Sequence, residues 1–349
     1  MTDETRELQI EMPDNLGAVQ DGQPSNVQIS PITTRDFCLV CGEQTHEVLA
    51  HVVDNRLGVP GEFAIHECPK CGLEQTLPRP LPDVLKQLYE IYYNFGGERG
   101  TKYTRMREWF FESRIYRAWL AADGDGSFHA RRGRGRLLDV GCNEGRGLKI
   151  YRHNGFSAEG LELNSRAAEL ARENGFVVYE TLLQDFRPAD LYDVVVLSNV
   201  LEHSLDPKRM LCDISRILSP FGQVWISCPN SKSWLREFFG RAWINWHVPF
   251  HLAHFSSESV RDLLQAAGFT RVRVTQITPA LWVASSIIAS LFSRNARPTR
   301  QLRNPLLILP LIFFSRMLMF PILSWQNRKG KGDCLIVTAN LARIASTER

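Results

Sequence analysis

RLLDVGCNEGRGL, residues 136–148, is the stretch that decides the fold. A short apolar run ends in Asp139, and glycines follow at 141, 145 and 147. The run reads as a buried strand, and the glycines let the backbone approach a ligand where a side chain would block it. In an open α/β sheet, ligands bind at the carboxyl ends of the strands. The glycine spacing does not match the dinucleotide pattern GxGxxG, and no Lys-Ser/Thr follows, so a phosphate loop is absent. Taken alone, this turn suits a dinucleotide, a nucleotide phosphate or another ligand.

Outward from it, strand and helix patterns alternate. SAEGLEL, FVVYE, YDVVVLSNV, QVWISCPN, RVRVTQI and GDCLIVTANL read as strands. EGRGLKIYRHNG, SRAAELARENG, DPKRMLCDISRILSPFG and SSESVRDLLQAAGF read as helices with Ser or Asp starts and Gly ends. The expected class is α/β: a Rossmann-like, doubly wound, seven-stranded parallel sheet covered on both faces. Glu162 ends the second strand, where a carboxylate can accept two hydrogen bonds from ribose hydroxyls. Asp185 lies in the loop after the third strand, placed to accept from an exocyclic amine.

LLDVGCNEGRGL, GLELN, QDF, YDVVVLSNVLEH, DPKRMLCDISRILSPFGQVWISCPN and HFSSESVRDLLQAAGF together resemble the class I S-adenosylmethionine-dependent methyltransferases, in the branch with ubiquinone and small-molecule methyltransferases. The resemblance covers about 136–280 and 331–345. It implies that Asp139, Gly141, Asn143 and Gly145 line the methionine end of S-adenosylmethionine. It implies that Glu162 holds the ribose and Asp185 with Phe186 the adenine, while Asn199 faces cofactor and substrate. The family usually has Gly where this chain has Asn143, a residue that tolerates left-handed backbone. SPFG replaces a Pro-Gly-Gly turn.

Methyl transfer from a sulfonium is an in-line displacement, so the site must align the nucleophile and exclude water. A hydroxyl acceptor needs a base. His203, in LEHSLDP, and His247 and His251, in NWHVPFHLAHF, are the catalytic candidates, with His254 in the same stretch. Aromatic residues surround the last three, so packing on the core is the plainer reading of that loop.

Cys38 and Cys41 (CLVC) and Cys68 and Cys71 (CPKC) are separated by 26 residues, and Gly follows each pair. Two such pairs read as a closed, structural zinc site. The segment also resembles the zinc ribbon that precedes many bacterial methyltransferase domains. The expected organisation is a polar leader (1–30), zinc ribbon (31–80), helical linker (81–135), methyltransferase domain (136–280 and 331–345) and a hydrophobic insertion (281–330).

The 349 residues carry 41 basic and 38 acidic side chains, a net charge of +3. That balance argues against a nucleic-acid partner. The leader lacks the apolar core of a signal peptide, so a reducing cytoplasm is expected, with peripheral contact to the inner membrane. The insertion contains LWVASSIIASLF and PLLILPLIFFSRMLMFPILSW, bordered by basic residues, with Arg316 near the centre of the second run. Three readings stand: interfacial attachment, a true span, and a cover for a homodimer contact or substrate pocket. The functional reading is methyl transfer to a small-molecule, saccharide or lipid-linked acceptor. The rival is a non-catalytic Rossmann scaffold that uses the ribbon and the apolar segment for partner contacts.

Overall fold

The computed structural model describes residues 36–92, 109–111, 113–293 and 300–342. The leader, the middle of the helical linker, the basic stretch 294–299 and the residues past 342 lie outside the described residues.

The chain begins with three antiparallel strands, β1 (His46–Val52), β2 (Phe63–Glu67) and β3 (Glu74–Leu77). Two helices follow, α1 (Pro82–Tyr92) and α2 (Arg114–Asp123). Pro82 opens α1 at a position where its missing N–H leaves no bond unmade. The alternating part then runs β4 (Arg136–Val140), α3 (Arg146–His153), β5 (Ser157–Leu161), α4 (Ser165–Glu173), β6 (Val178–Tyr179), β7 (Tyr192–Ser198), α5 (Pro207–Ile217) and β8 (Leu218–Pro229). It continues through α6 (Trp234–Phe239), β9 (Ala253–His254), α7 (Ser257–Ala266), β10 (Phe269–Ile277), α8 (Ala280–Phe292), α9 (Pro305–Met317), α10 (Phe320–Arg328) and β11 (Cys334–Leu341). The helix starts follow their side chains. Asn164 accepts from the Ala167 N–H, Asp206 from the Arg209 N–H, and Ser256 with Ser259 closes a capping box.

All seven expected strands join one sheet, in the order β10-β11-β8-β7-β4-β5-β6. Five of them, β4 to β8, are parallel. The one exception to the parallel run is β11, which runs antiparallel to both β8 and β10. The insertion before β11 returns the chain at the same end of the sheet it left, so the last strand must run backwards. Leu138, Val140, Val195 and Leu197 pack on one face, and Leu137, Val194 and Val196 on the other. Burial on both faces is why these strands read as continuous apolar runs.

The ribbon takes one strand from outside 31–80. β9, from the loop after β8, pairs with β3 through Glu74↔His254 and Gln75↔Ala253 and completes a second sheet of order β1-β2-β3-β9. Cys38, Cys68 and Leu73 belong to the same apolar cluster as one face of the large sheet. Beneath the join, the buried Glu74 meets Lys232 at 2.9 Å and Arg236 at 2.8 Å. The ribbon is thereby fastened to the large sheet by strand pairing, packing and ion pairs.

Candidate active site

The direction of winding changes between β4 and β7: β4 continues to β5 on one side, and the chain returns to β7 on the other. This is the switch point at which a ligand cleft opens beyond the strand ends. Gly141 leaves β4 at φ +71°, and its N–H donates to Leu161 O at 2.7 Å. A Cβ on Gly141 would stand 3.1 Å from Val200 Cγ2, so the two loops of the cleft touch at a glycine. Asn143 takes the left-handed backbone that glycine would normally supply, at φ +52°. Its side-chain oxygen accepts the Glu144 N–H at 2.9 Å, which holds the turn. Gly145, at φ +79°, starts α3 and lies against α4, where a Cβ would meet Ala171 Cβ at 3.0 Å.

Glu162 faces this loop. Its Oε2 accepts the Asn143 N–H at 2.9 Å and its Oε1 the Asn164 N–H at 2.8 Å. Each oxygen retains a lone pair, so the carboxylate can still receive two adjacent hydroxyls. Asp139 is buried beneath the loop. Burial and, secondarily, the Glu162 charge push it up to about 7. A Cβ at Gly147 would come 2.9 Å from Asp139 Oδ2, so the bare backbone of α3 makes room for that carboxyl.

Asp185 is exposed in the single turn Leu183–Asp185 after β6. The ring of Phe186 is committed to the core, 4.8 Å from Tyr179 and 6.3 Å from Tyr192 between ring centres. What Phe186 offers a ligand on the Asp185 side is therefore main chain. Asn199 sits at the carboxyl end of β7, exposed, at φ +54°, with its N–H bonded to Ser227 O. A left-handed non-glycine beside a cleft is a local cost that functional sites often carry.

His203, His247 and His251, 44 or more residues apart in part of the sequence, come together one turn beyond Asn199. The His203 ring centre lies 4.7 Å from His251 and 6.3 Å from His247. Tyr89 Oη bonds His203 Nδ1 at 2.7 Å, and Asn245 O bonds His251 Nδ1 at 2.7 Å. A carbonyl can only accept, so His251 carries its proton on Nδ1 and its basic Nε2 points elsewhere. That nitrogen lies 4.0 Å from Glu202 Oε1. Arg56 donates to His247 Nδ1 at 3.4 Å. Burial lowers His203 to about 4 and holds His247 and His251 well below the usual range, so all three are neutral at pH 7. His254 is drawn instead into the ribbon sheet, where its Nε2 meets Thr76 Oγ1 at 2.9 Å.

Sequence reading missed Glu202, Tyr89 and Arg56. Glu202 is 1% exposed and neither of its oxygens has a hydrogen-bond partner. Burial raises it to about 8. The signal was present, since the acid adjoins His203 in LEH, but nothing local told that its side chain turns inward. Glu202, His203 and His251 also present ligand atoms within 4.8 Å of one another, a set that could hold a divalent ion.

The four ribbon cysteines converge. Sγ–Sγ distances are 3.5 Å for Cys38–Cys71, 3.4 Å for Cys41–Cys68 and 3.7 Å for Cys41–Cys71. Four thiolates around zinc at about 2.3 Å would be separated by about 3.8 Å, so the cage is close to the right size. Both knuckles repeat one geometry: Gly42 N–H to Cys38 O at 3.0 Å and Gly72 N–H to Cys68 O at 2.9 Å, each glycine at positive φ.

Residues 111–274, which contain the glycine loop, Glu162 and the histidine cluster up to His254, match the family model described as a methyltransferase domain. Over these residues the chain is similar to methyltransferase domains. The ubiquinone biosynthesis O-methyltransferase of Erwinia tasmaniensis is 31% identical over 141 residues, 38% of this chain and 56% of that protein. The enzyme of the same name from Klebsiella pneumoniae is 31% identical over 124 residues, 33% of this chain and 51% of that protein. The chain thus spans about half the length of the curated relatives it matches. A Thermotoga maritima structure described as a possible histamine N-methyltransferase is also similar, at 17% identity and a TM-score of 0.43, over 73% of this chain and 99% of that one. Two features are added to the alternating part of this chain: a ribbon strand pairs with it through β9, and three helices are inserted before β11.

Proposed function

We propose that this protein transfers a methyl group from S-adenosylmethionine to a hydroxyl of a small-molecule, saccharide or lipid-linked acceptor. The observation that carries the reading is the bond from Asn143 N–H to Glu162, which sets a ribose-accepting carboxylate against an open glycine turn at the switch point. In this reading Glu162 receives the two ribose hydroxyls and Asp185 the adenine amine. Asp139, close to neutrality, ionises when it meets the cofactor's ammonium group. The acceptor enters beside Asn199.

S-adenosylmethionine supplies an electrophilic methyl on a sulfonium. The chain's own residues orient the acceptor, exclude water and take its proton. His203 is the base. It is the one member of the trio with partial solvent exposure, and the Tyr89 hydroxyl at its Nδ1 fixes the ring's orientation. His251 and His247 hold its ring in place from two sides. Zinc on Cys38, Cys41, Cys68 and Cys71 has a structural role, since four thiolates leave no open position. Free thiolates of this kind suit a reducing, cytoplasmic setting.

Two measurements test the reading. Calorimetry should show micromolar binding of S-adenosylhomocysteine to the full chain, and its absence would sink the cofactor assignment. A radiolabelled methyl-transfer assay on lipid and soluble metabolite fractions should label one of them. His203→Ala should then lower the rate by about 10²-fold or more with cofactor affinity intact. If His203→Ala and His251→Ala both turn over at the normal rate, the base is not in this cluster.

A further inference from the structure

The insertion between β10 and β11 leaves a large apolar surface that none of the described residues covers. Its two ends are hydrogen-bonded neighbours, Ile277 opposite Cys334, so the segment departs and returns at one end of the sheet. The helix α8 forms its inner layer: Val283 packs with Trp243, Trp246 and Leu323, and Ala284, Ile288 and Ala289 are also buried. The helix α9 lies outside it, with only Ser315 buried. Leu306, Leu309, Phe313 and Met317 follow at i, i+3, i+7 and i+11, which places them along one face of α9. That face points to solvent, with Leu306 81% and Phe313 65% exposed. Leu318, at the bend into α10, is 71% exposed.

Arg316 was the residue that spoke against a lipid environment. It turns inward instead. Its guanidinium pairs with Asp123 of α2 and donates to Thr278 O, and only 9% of its side chain is exposed. It is the only charged residue from Pro305 to Gln326, so the outer face of this run carries no charge. The borders are the opposite. Residues 280–332 contain no Asp or Glu and eight Arg or Lys, seven of them outside the apolar run. Among these, Lys329 lies 5.7 Å over the Trp325 ring, an aromatic–cation pair of the kind that sits at lipid headgroup level.

We infer that this face docks in the plane of an anionic lipid surface, apolar side chains in the acyl boundary and basic borders at the headgroups. Among the described residues no single helix is long and apolar enough to cross a membrane. The thirteen residues of α9 rise about 20 Å against a hydrocarbon core of about 30 Å, and α9 and α10 are bent by 66° at their break. A second copy of the chain is the poorer occupant. An isologous contact would set the insertion's basic borders against each other, a like-charge juxtaposition relieved at Lys331, which pairs with Glu237. The docking rests on this surface alone and not on methyl transfer.

The test is flotation of the full chain with vesicles of phosphatidylcholine alone and of phosphatidylcholine with phosphatidylglycerol. Binding should be about tenfold or more stronger with the anionic lipid and should weaken as salt is raised. The triple substitution Leu306→Ser, Phe313→Ser, Met317→Ser should abolish flotation while leaving the melting temperature and S-adenosylhomocysteine affinity unchanged, because all three side chains are exposed. Arg328→Gln with Lys329→Gln should reduce flotation on anionic vesicles only. Failure to float on either vesicle at low salt would overturn the inference. So would flotation that the triple variant retains. Lipid-free sedimentation showing a dimer that the triple variant dissolves would assign the face to a second copy instead.

Discussion

The main-chain N–H of Asn143 donates to Glu162 Oε2 at 2.9 Å, so the turn after β4 and the acid after β5 act as one unit. Glu162 orders the turn and, with its remaining lone pairs, is available to the cofactor. Glu162→Ala should therefore weaken S-adenosylhomocysteine binding by about 10- to 100-fold, the worth of one or two hydrogen bonds to a charged group. Calorimetry on the variant gives the number, and an unchanged affinity would remove Glu162 from the ribose site.

Gly141 tests the tightness of the same turn. Its φ of +71° strains any side chain, and a Cβ would press on Val200 Cγ2 at 3.1 Å. Gly141→Ala should cost about 1–2 kcal/mol in urea unfolding. Gly175, also at positive φ but with nothing within 4 Å of a built Cβ, is the control, and Gly175→Ala should cost less.

Metal content should be one zinc per chain by mass spectrometry of the native protein. Cys68→Ser should lose it. Since β9 ties the ribbon to the large sheet, the same substitution should also lower the melting temperature of the whole chain, not release an independent unit. A second metal equivalent that disappears in His251→Ala would reassign Glu202, His203 and His251 from proton transfer to metal binding.

The buried histidines should each cost the protein stability in acid. His129 and His203 are lowered by burial to about 4 and His254 to about 3, and His247 and His251 are held well below 6.5. Between those values and about 6.5 the unfolded chain binds more protons than the folded one, so stability rises with pH through this window and is complete above it. Each histidine contributes a slope of about 1.4 kcal/mol per pH unit. Glu202, raised to about 8, acts in the opposite sense, losing stability as pH climbs from its unfolded value near 4.5. Asp139, raised to about 7, and Asp333, raised to about 6, oppose the histidines in the same way, as do Asp54, Glu74, Asp123 and Asp125, all raised by burial. Between pH 5.5 and 7.5 the urea midpoint of His254→Gln should rise less with pH than that of the parent, and an identical pH dependence would mean that imidazole is hydrated and charged. Glu202→Gln should raise stability at pH 8 and leave it unchanged near pH 4.

Much of this was legible in the chain. The seven strands, their helices and the glycine loop are set by local pattern: β4 reads as buried because it is a continuous apolar run, and α7 reads as capped because Ser256 and Ser259 satisfy each other's backbone. The four cysteines were equally plain, since two-residue spacing fixes each knuckle locally. Glu202 was not legible. Its neighbour His203 drew the eye, but whether a carboxyl after a strand faces water or a histidine 49 positions later depends on how the loop 243–255 folds back.

Sequence alone, then, determined the periodic elements, the glycine turn with its acid at residue 162 and the thiolate cage, because each depends on contacts a few residues apart or on a strand's own pattern of burial. Three things waited for the tertiary structure. They are the reversal of β11, the ribbon's fourth strand from residues 253–254, and the inward turn of Arg316 toward Asp123 that leaves the α9 face without charge. Each joins segments more than a hundred residues apart, where no periodicity carries information and only packing chooses the partner.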